Sequence, residues 1–185
     1  MRLVLALLLV CLPLAAAAAP WRLDPATRVA VDVSWKGSTV ELTFPELSGT
    51  IDFDEKRPET TRARIVVAAG SVEAALPPAA VVVKGPDFLG VGRWPEVVFE
   101  LDRLTPTSKS TADVAGRLTL RGITKPVSFK ATVTQYGPAP DDPDRFVASF
   151  DITGSVDRTA FGSTGGLPDV AARIGLRIHL AMASE

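Results

Sequence analysis

Most of the chain alternates between apolar and polar residues with a period of two. In residues 29–35 and 40–44, valine, leucine, phenylalanine and tryptophan alternate with small or polar residues. The same pattern recurs in residues 51–53, 62–68, 97–101, 114–120, 127–133, 146–152 and 174–182. Because successive side chains of a strand point to opposite faces, this pattern predicts eight or nine half-buried antiparallel strands.

Glycine and proline separate these segments, which predicts short connections between neighbouring strands. We expect a tight hairpin at residues 121–125, and a following strand that begins at or just after Pro126, because proline cannot donate to a ladder. Residues 137–144 are polar enough for a mobile loop. Residues 72–81 have helical potential, which Pro77-Pro78 interrupts.

Strands with one apolar face must bury that face in a two-sheet sandwich or in a closed barrel. Both architectures fit the pattern, and eight strands of about ten residues fit a barrel that holds one small ligand. In the hairpin of residues 114–133, Leu118, Leu120, Phe129 and Val133 are predicted to face inward. A filled core and a ligand cavity share this alternation, so the pattern leaves both open.

Residues 1–19 have the organisation of a secretory signal peptide. Arg2 is followed by an uncharged apolar run over residues 3–14 and by alanines at 15–19. This predicts a periplasmic or secreted protein in which residues 20–185 form one domain. Cys11, the one cysteine, lies in the signal segment, so we expect the stability of the mature chain to come from its core and not from disulfides.

Charge and candidate reactive residues exclude several classes of function. With 20 basic and 21 acidic residues, the chain has no basic excess for nucleic acid. One histidine and one cysteine are too few for an ordinary zinc or copper site. His179 is predicted to face outward beside Arg173 and Arg177, away from any catalytic pocket.

The remaining polar clusters have structural interpretations. The acidic residues at 52–55 and 141–144 lack EF-hand spacing and are interpreted as a solvated strand end and a soluble loop. The glycines at 162–166 do not follow a strand and open a helix, as a phosphate-binding motif requires. The sequence therefore predicts that the protein is not an enzyme.

The segment GRLTLRGITKPV, residues 116–127, resembles the signature hairpin of the YceI-like domain, a lipocalin-like antiparallel barrel. Further matching segments follow in the right order at residues 21–24, 49–54, 87–89, 94–95, 99, 158 and 161–162. The resemblance covers residues 21–183. It implies an all-β barrel of about eight strands with at most one short helical segment.

The resemblance also implies an exported protein whose apolar cavity holds a polyisoprenoid chain, such as a quinone or a polyprenyl lipid, without another cofactor. We expect the head of this lipid near an open rim. The side chains expected to bind it are Trp35, Phe44, Phe53, Phe88, Phe99, Leu101, Leu118, Leu120, Phe129, Ala131, Phe150 and Ile178.

This chain departs from many family members at two places that bear on the head of the ligand. Trp35-Lys36-Gly37 stands where many carry a histidine, and residues 81–86 replace a charged stretch. The alternative hypothesis is an accessory or stress-related protein that acts through a protein partner, such as a membrane b-type cytochrome. Either function allows transient contact with a membrane or a membrane protein.

Overall fold

A computed structural model describes residues 21–184, which form eleven strands, one α-helix and three short 3-10 turns. The strands are β1 (Trp21–Leu23), β2 (Arg28–Trp35), β3 (Ser38–Phe44), β4 (Leu47–Asp52), β5 (Arg62–Ala68), β6 (Glu73–Ala74), β7 (Glu96–Pro106), β8 (Thr111–Leu120), β9 (Ile123–Ala139), β10 (Asp142–Asp157) and β11 (Arg173–Ser184). The helix α1 spans Pro77–Lys84, and the 3-10 turns span Pro58–Thr60, Ala69–Ser71 and Arg158–Phe161. The predicted signal peptide lies outside the described residues.

The strands pair antiparallel around a ring that closes on itself. β1 and β2 lie end to end along β11, where they pair with residues 182–184 and 175–179. β3 and β4 form a second bent strand: β3 pairs with β2, while β4 pairs with β5 and, at Ile51, with Trp21 of β1. The result is a closed barrel of eight strands, which leaves no long free edge. The barrel prediction is confirmed, and the sandwich is excluded.

The β8–β9 hairpin turns at Arg121 and Gly122, whose φ angles of 53° and 73° match a two-residue type I′ turn. The prediction that the next strand begins at or after Pro126 is wrong, because β9 begins at Ile123. Pairs alternate from the turn, so Arg117–Pro126 is a pair that exchanges no ladder hydrogen bonds. Pairing of β9 with β10 reaches only to Lys130, so the proline removes no ladder bond on that side either.

The predicted loop at residues 137–144 is instead mostly strand. β9 continues to Ala139 and β10 starts at Asp142, so only Pro140 and Asp141 connect them. The ribbon formed here extends past the pairing of β10 with β11, which ends at Val147. Most of its side chains are exposed, although Ala139 is buried, so polar residues suit most of its positions as well as they suit a loop.

Val133 does not line the barrel interior as predicted. The register of β9 against β10 shifts between the pairs made by Ser149 and Phe150, which places a β-bulge next to Val133. The first residue of β8, Thr111, pairs with Thr132, so Val133 lies beyond the end of β8. Val133 is accordingly exposed and is absent from the wall of the barrel interior, whereas Leu118, Leu120 and Phe129 line that interior as predicted.

The helix α1 begins where the sequence suggested an interruption. Pro77 and Pro78 occupy its first turn, where backbone N–H groups have no intrahelical partner and the fixed φ of proline suits the helix. The helix then runs to Lys84, beyond the predicted segment. Its side chains Ala79, Val82 and Val83 lie over one end of the barrel interior.

Candidate functional site

The barrel encloses a cavity of about 780 Å³. Inward side chains of β2 to β5 and β7 to β11 form its wall, together with α1, residues 88–89 that follow it, and residues between 158 and 170. The twelve side chains expected to bind ligand all lie on this wall: Trp35, Phe44, Phe53, Phe88, Phe99, Leu101, Leu118, Leu120, Phe129, Ala131, Phe150 and Ile178. The interior is therefore a cavity and not a filled core, while a role of these side chains in binding stays a prediction.

The wall is almost entirely hydrocarbon. Among the lining residues, only Thr27, Thr61, Ser163 and Arg158 carry a hydroxyl or a charge. The hydroxyl of Thr27 is occupied, because its Oγ1 donates to the Ala181 carbonyl at 2.9 Å and accepts from the Ala181 N–H at 3.1 Å. Such a wall suits an apolar ligand, since a buried polar ligand would lose its hydrogen bonds to water without replacing them.

Arg158 is the one charged residue of the wall, and it is only 4% exposed. Its Nε donates to the Ala171 carbonyl at 2.8 Å, and its Nη atoms donate to the carbonyls of Ser163, Gly165 and Val170 at 2.8 to 2.9 Å. Burial lowers the pKa of this guanidinium below its ordinary value. The side chain thus fastens the loop of residues 163–171 and has little hydrogen-bonding capacity left for a ligand.

Thr61 is different, because its buried Oγ1 has no hydrogen-bond partner in the described part of the chain. Thr61 immediately precedes β5, whose first residue, Arg62, pairs with Asp52 at the end of β4. The unpaired hydroxyl therefore lies at the end of the barrel opposite the β2–β3 turn. An unpaired buried hydroxyl is costly, so this position can reward a ligand oxygen. No periodicity argument could have identified it, since threonine is equally common on outer faces.

The cavity opens at the end where α1 lies. The lining residues that are themselves exposed are Trp35, Leu76, Pro78, Val82 and Gly166. They come from three segments: the end of β2, the helix with its approach, and the 163–171 loop. We call this opening the mouth.

Backbone hydrogen bonds hold the three segments of the mouth together. The Lys36 N–H donates to the Asp169 carbonyl at 2.9 Å, and the Gly165 N–H donates to the Asp87 carbonyl at 2.8 Å. Trp35 itself bridges to Val170 in the loop. Trp35 is therefore a rim residue and not the deeply inward side chain that alternation predicted.

The candidate catalytic residues do not converge on the cavity. His179 lies on the outer face, where its Nδ1 is 2.8 Å from Asp151 Oδ1. Asp54 accepts hydrogen bonds from the backbone N–H groups of Lys56 and Arg57, and Asp141 pairs with Arg145, so both acidic clusters stabilise turns.

The glycines at 162–166 serve packing and turn formation. A Cβ on Gly165 would lie 2.4 Å from the ring of Phe88, and Gly162 has a φ of 74°. Within residues 21–184, no group of three or more His, Cys, Asp or Glu side chains could hold a metal ion. No helix in the same range is long and apolar enough to cross a membrane.

A closed antiparallel barrel around an apolar cavity defines a lipocalin-like class of protein. The family model of the YceI-like domain matches residues 21–182. The chain therefore belongs to the YceI-like domain family, as the hairpin at residues 116–127 predicted.

Relatives in this family share about a third of the sequence. A UPF0312 protein of Pseudomonas putida strain W619 is 32% identical over 155 residues, which cover 81% of this chain and 79% of the relative. A UPF0312 protein of Pseudomonas fluorescens is 34% identical over 146 residues, which cover 76% and 73%.

Solved structures share the fold at lower identity. Burkholderia cenocepacia BcnA matches with a TM-score of 0.76 and 21% identity, covering 86% of this chain and 98% of the neighbour. A polyisoprenoid binding domain from Saccharophagus degradans, implicated in plant cell wall breakdown, matches with a TM-score of 0.68 and 13% identity, covering 90% and 99%. These similarities agree with the barrel architecture described above.

Proposed function

We propose that this protein is an exported, non-enzymatic lipid-binding protein that holds a polyisoprenoid or similar long apolar chain, of the quinone or polyprenyl type, inside its barrel. The observation that carries the proposal is the apolar cavity of about 780 Å³. This volume falls within the range of about 300–1,000 Å³ that is typical of small-molecule sites. The structural neighbour from Saccharophagus degradans, a polyisoprenoid binding domain, supports the ligand class.

The energetics favour a chain over a polar ligand. Each methylene removed from water contributes about 0.8 kcal/mol, so about a dozen of them supply roughly 10 kcal/mol before the cost of ordering the ligand. The mouth allows the head of the lipid to remain near solvent. Arg158 lies on the wall but is occupied by backbone carbonyls, so we expect chain length and bulk to matter more than charge.

The signal-peptide pattern of residues 1–19 supports export to the periplasm or the exterior. N-terminal sequencing of the protein from its host should give a start between Ala17 and Trp21. An intact Met1 on a cytosolic species would contradict export.

The ligand itself can be identified by mass spectrometry of organic extracts from protein purified out of its native host. The Ala131→Trp variant should fill the cavity, since Ala131 is buried on its wall, and should lose the extracted lipid. Thr132→Trp on the same strand is the matched control, because Thr132 is exposed and absent from the wall. Folded Ala131→Trp protein that extracts the same lipid in the same amount would contradict interior binding and favour the partner-protein hypothesis.

A further inference from the structure

We propose that the mouth of the barrel docks directly on the surface of a lipid bilayer, by inserting a patch formed by Trp35, Leu76, Val81, Val82 and Leu167. Of the described residues, these are the five large apolar side chains with the greatest exposure, from 45% for Leu167 to 73% for Val81. All five belong to the three segments that form the mouth. We call them the mouth patch.

The helix α1 provides the first argument. Residues 74–83 contain ten consecutive residues without a polar side chain, yet no residue of α1 is buried. A helix that is apolar on all sides is normally found in a protein core or in a membrane. Here α1 lies outside the barrel and exposes apolar side chains to solvent. The protein itself does not cover these side chains, so they are available for contact with the apolar layer of a bilayer.

The continuity of the mouth patch with the cavity favours a bilayer over a protein as its partner. Trp35, Leu76 and Val82 each line the cavity and are about half exposed at the same time. Contact with hydrocarbon at this rim would join the bilayer interior to the cavity, so a long chain could move between them without crossing water. This part of the inference rests on the proposed function, whereas docking itself can be measured without it.

The charges around the mouth patch are compatible with a bilayer surface. Residues 74–86 carry one charged side chain, Lys84, at the end of α1. Trp35 is followed by Lys36 at the tip of the β2–β3 turn, and tryptophan and lysine are residues that prefer the membrane interface. Because Lys36 Nζ is 3.4 Å from Asp169 Oδ2, its charge is partly neutralised, and we expect insertion of apolar side chains to dominate over attraction to anionic lipid.

The test is co-sedimentation of the full protein from its native host with two kinds of unilamellar vesicle. One kind is phosphatidylcholine alone, and the other mixes phosphatidylethanolamine with phosphatidylglycerol. We expect binding to both, with little loss in about 0.5 M salt, where exposed charges are strongly screened. The double variant Val81→Asp/Leu167→Asp should bind at least about tenfold more weakly, since two charges would have to enter the apolar layer.

Both substituted side chains are absent from the cavity wall, so the double variant should bind a long-chain lipid supplied in detergent as the wild type does. Val133→Asp, an exposed apolar position on β9 away from the mouth, is the control and should bind vesicles normally. Equal vesicle binding by the double variant and the wild type would overturn the proposal. So would binding to native membranes but not to pure lipid vesicles, which would indicate a membrane protein as the partner.

The docking proposal and the proposed function fail in different ways. Lipid in the organic extract without vesicle binding would contradict docking alone. Vesicle binding that depends on the mouth patch, in a protein that never yields an extracted lipid, would support docking and contradict the lipid-holding function.

Discussion

The rings of Phe99 and Phe129 pack against each other across an intervening strand, with centroids 5.8 Å apart and planes tilted by 46°. Phe99 lies on β7 and Phe129 on β9, and β8 runs between them. The contact is possible because β8 carries Gly116 here, where a Cβ would lie 2.6 Å from the Phe99 ring. Gly154 on β10 makes the same space for Phe129. These two glycines leave room for the two aromatic rings against the neighbouring strands.

Phe99→Ala should enlarge the cavity and shift ligand selection toward longer or bulkier chains. Because the ring borders an existing cavity, we expect its loss to cost less than the 3–5 kcal/mol of a Phe-to-Ala change in a filled core. Mass spectrometry of the extracted lipids and urea denaturation measure the two effects. Thr119→Ala on the outer face is the control. If the extracted lipids are unchanged and the loss of stability is as large as in a filled core, then Phe99 is a packed core residue and not part of the cavity wall.

Thr61→Val should show how much of ligand binding depends on the Thr61 hydroxyl and how much depends on apolar contact with the cavity wall. The change keeps the shape of the side chain and removes a buried hydroxyl that has no partner among the described residues. We expect the empty barrel to be equally stable or more stable, because an unpaired buried hydroxyl costs about 1–3 kcal/mol. Binding of ligands with an oxygen at the inner end should weaken by comparison with simple hydrocarbons. Reduced stability of the ligand-free variant in urea would contradict this account.

Local patterns predicted the wall of the site better than its ends. Alternation placed Phe44, Phe99 and Phe150 inward because one face of each strand must be buried. Barrel closure could not be predicted in this way, since it depends on β1 pairing with both β4 and β11. Similarly, the alternation of apolar and polar residues is the same in a filled barrel and in a hollow one. The cavity could therefore be recognised only from the structure.

The functional features that sequence reasoning missed depend on contacts far apart in the chain. Arg158 was noted only as part of the family resemblance, and its role in fastening the 163–171 loop follows from four backbone carbonyls. An open rim was predicted but its position was not, because residues 72–81 were interpreted only as a helical segment interrupted by Pro77-Pro78. The departures from the family at residues 35–37 and 81–86 fall in or beside the mouth.

Arg158→Lys should destabilise the loop at the mouth despite keeping the positive charge. The three donors of lysine are on one nitrogen, so lysine cannot donate to the same four carbonyls that the guanidinium reaches. Several of these buried carbonyls would therefore lose their hydrogen-bond partner. We expect a loss of about 3 kcal/mol or more in urea denaturation and faster amide exchange in residues 163–171. Arg173→Lys, at an exposed arginine on β11, is the control. Unchanged exchange in the loop would mean that other contacts hold it.

A cluster on the outer face should contribute stability that is lost in acid. Arg177 on β11 donates from Nε and Nη2 to the two carboxylate oxygens of Asp32 at 2.7 and 2.8 Å, and also contacts Glu41 on β3. The hydrogen bond from Arg177 holds the pKa of Asp32 below its ordinary value. A carboxyl whose pKa is lower in the folded than in the unfolded state stabilises the fold above its unfolded pKa of about 3.9, and this contribution disappears as the pH falls through the folded pKa.

Arg177→Gln should therefore cost stability at pH 7 and progressively less below about pH 4. Because Arg177 is exposed, we expect only a small loss of stability at neutral pH, and a smaller one in high salt. Urea denaturation of the wild type and the variant between pH 2.5 and 7 measures the difference. Arg173→Gln removes a hydrogen bond to the neutral Ser155 hydroxyl and a minor charge interaction with Asp157, so the difference it causes should change less over this range. A cost of Arg177→Gln that stays constant down to pH 2.5 would show that its contribution is packing of the side chain and not the charge of Asp32.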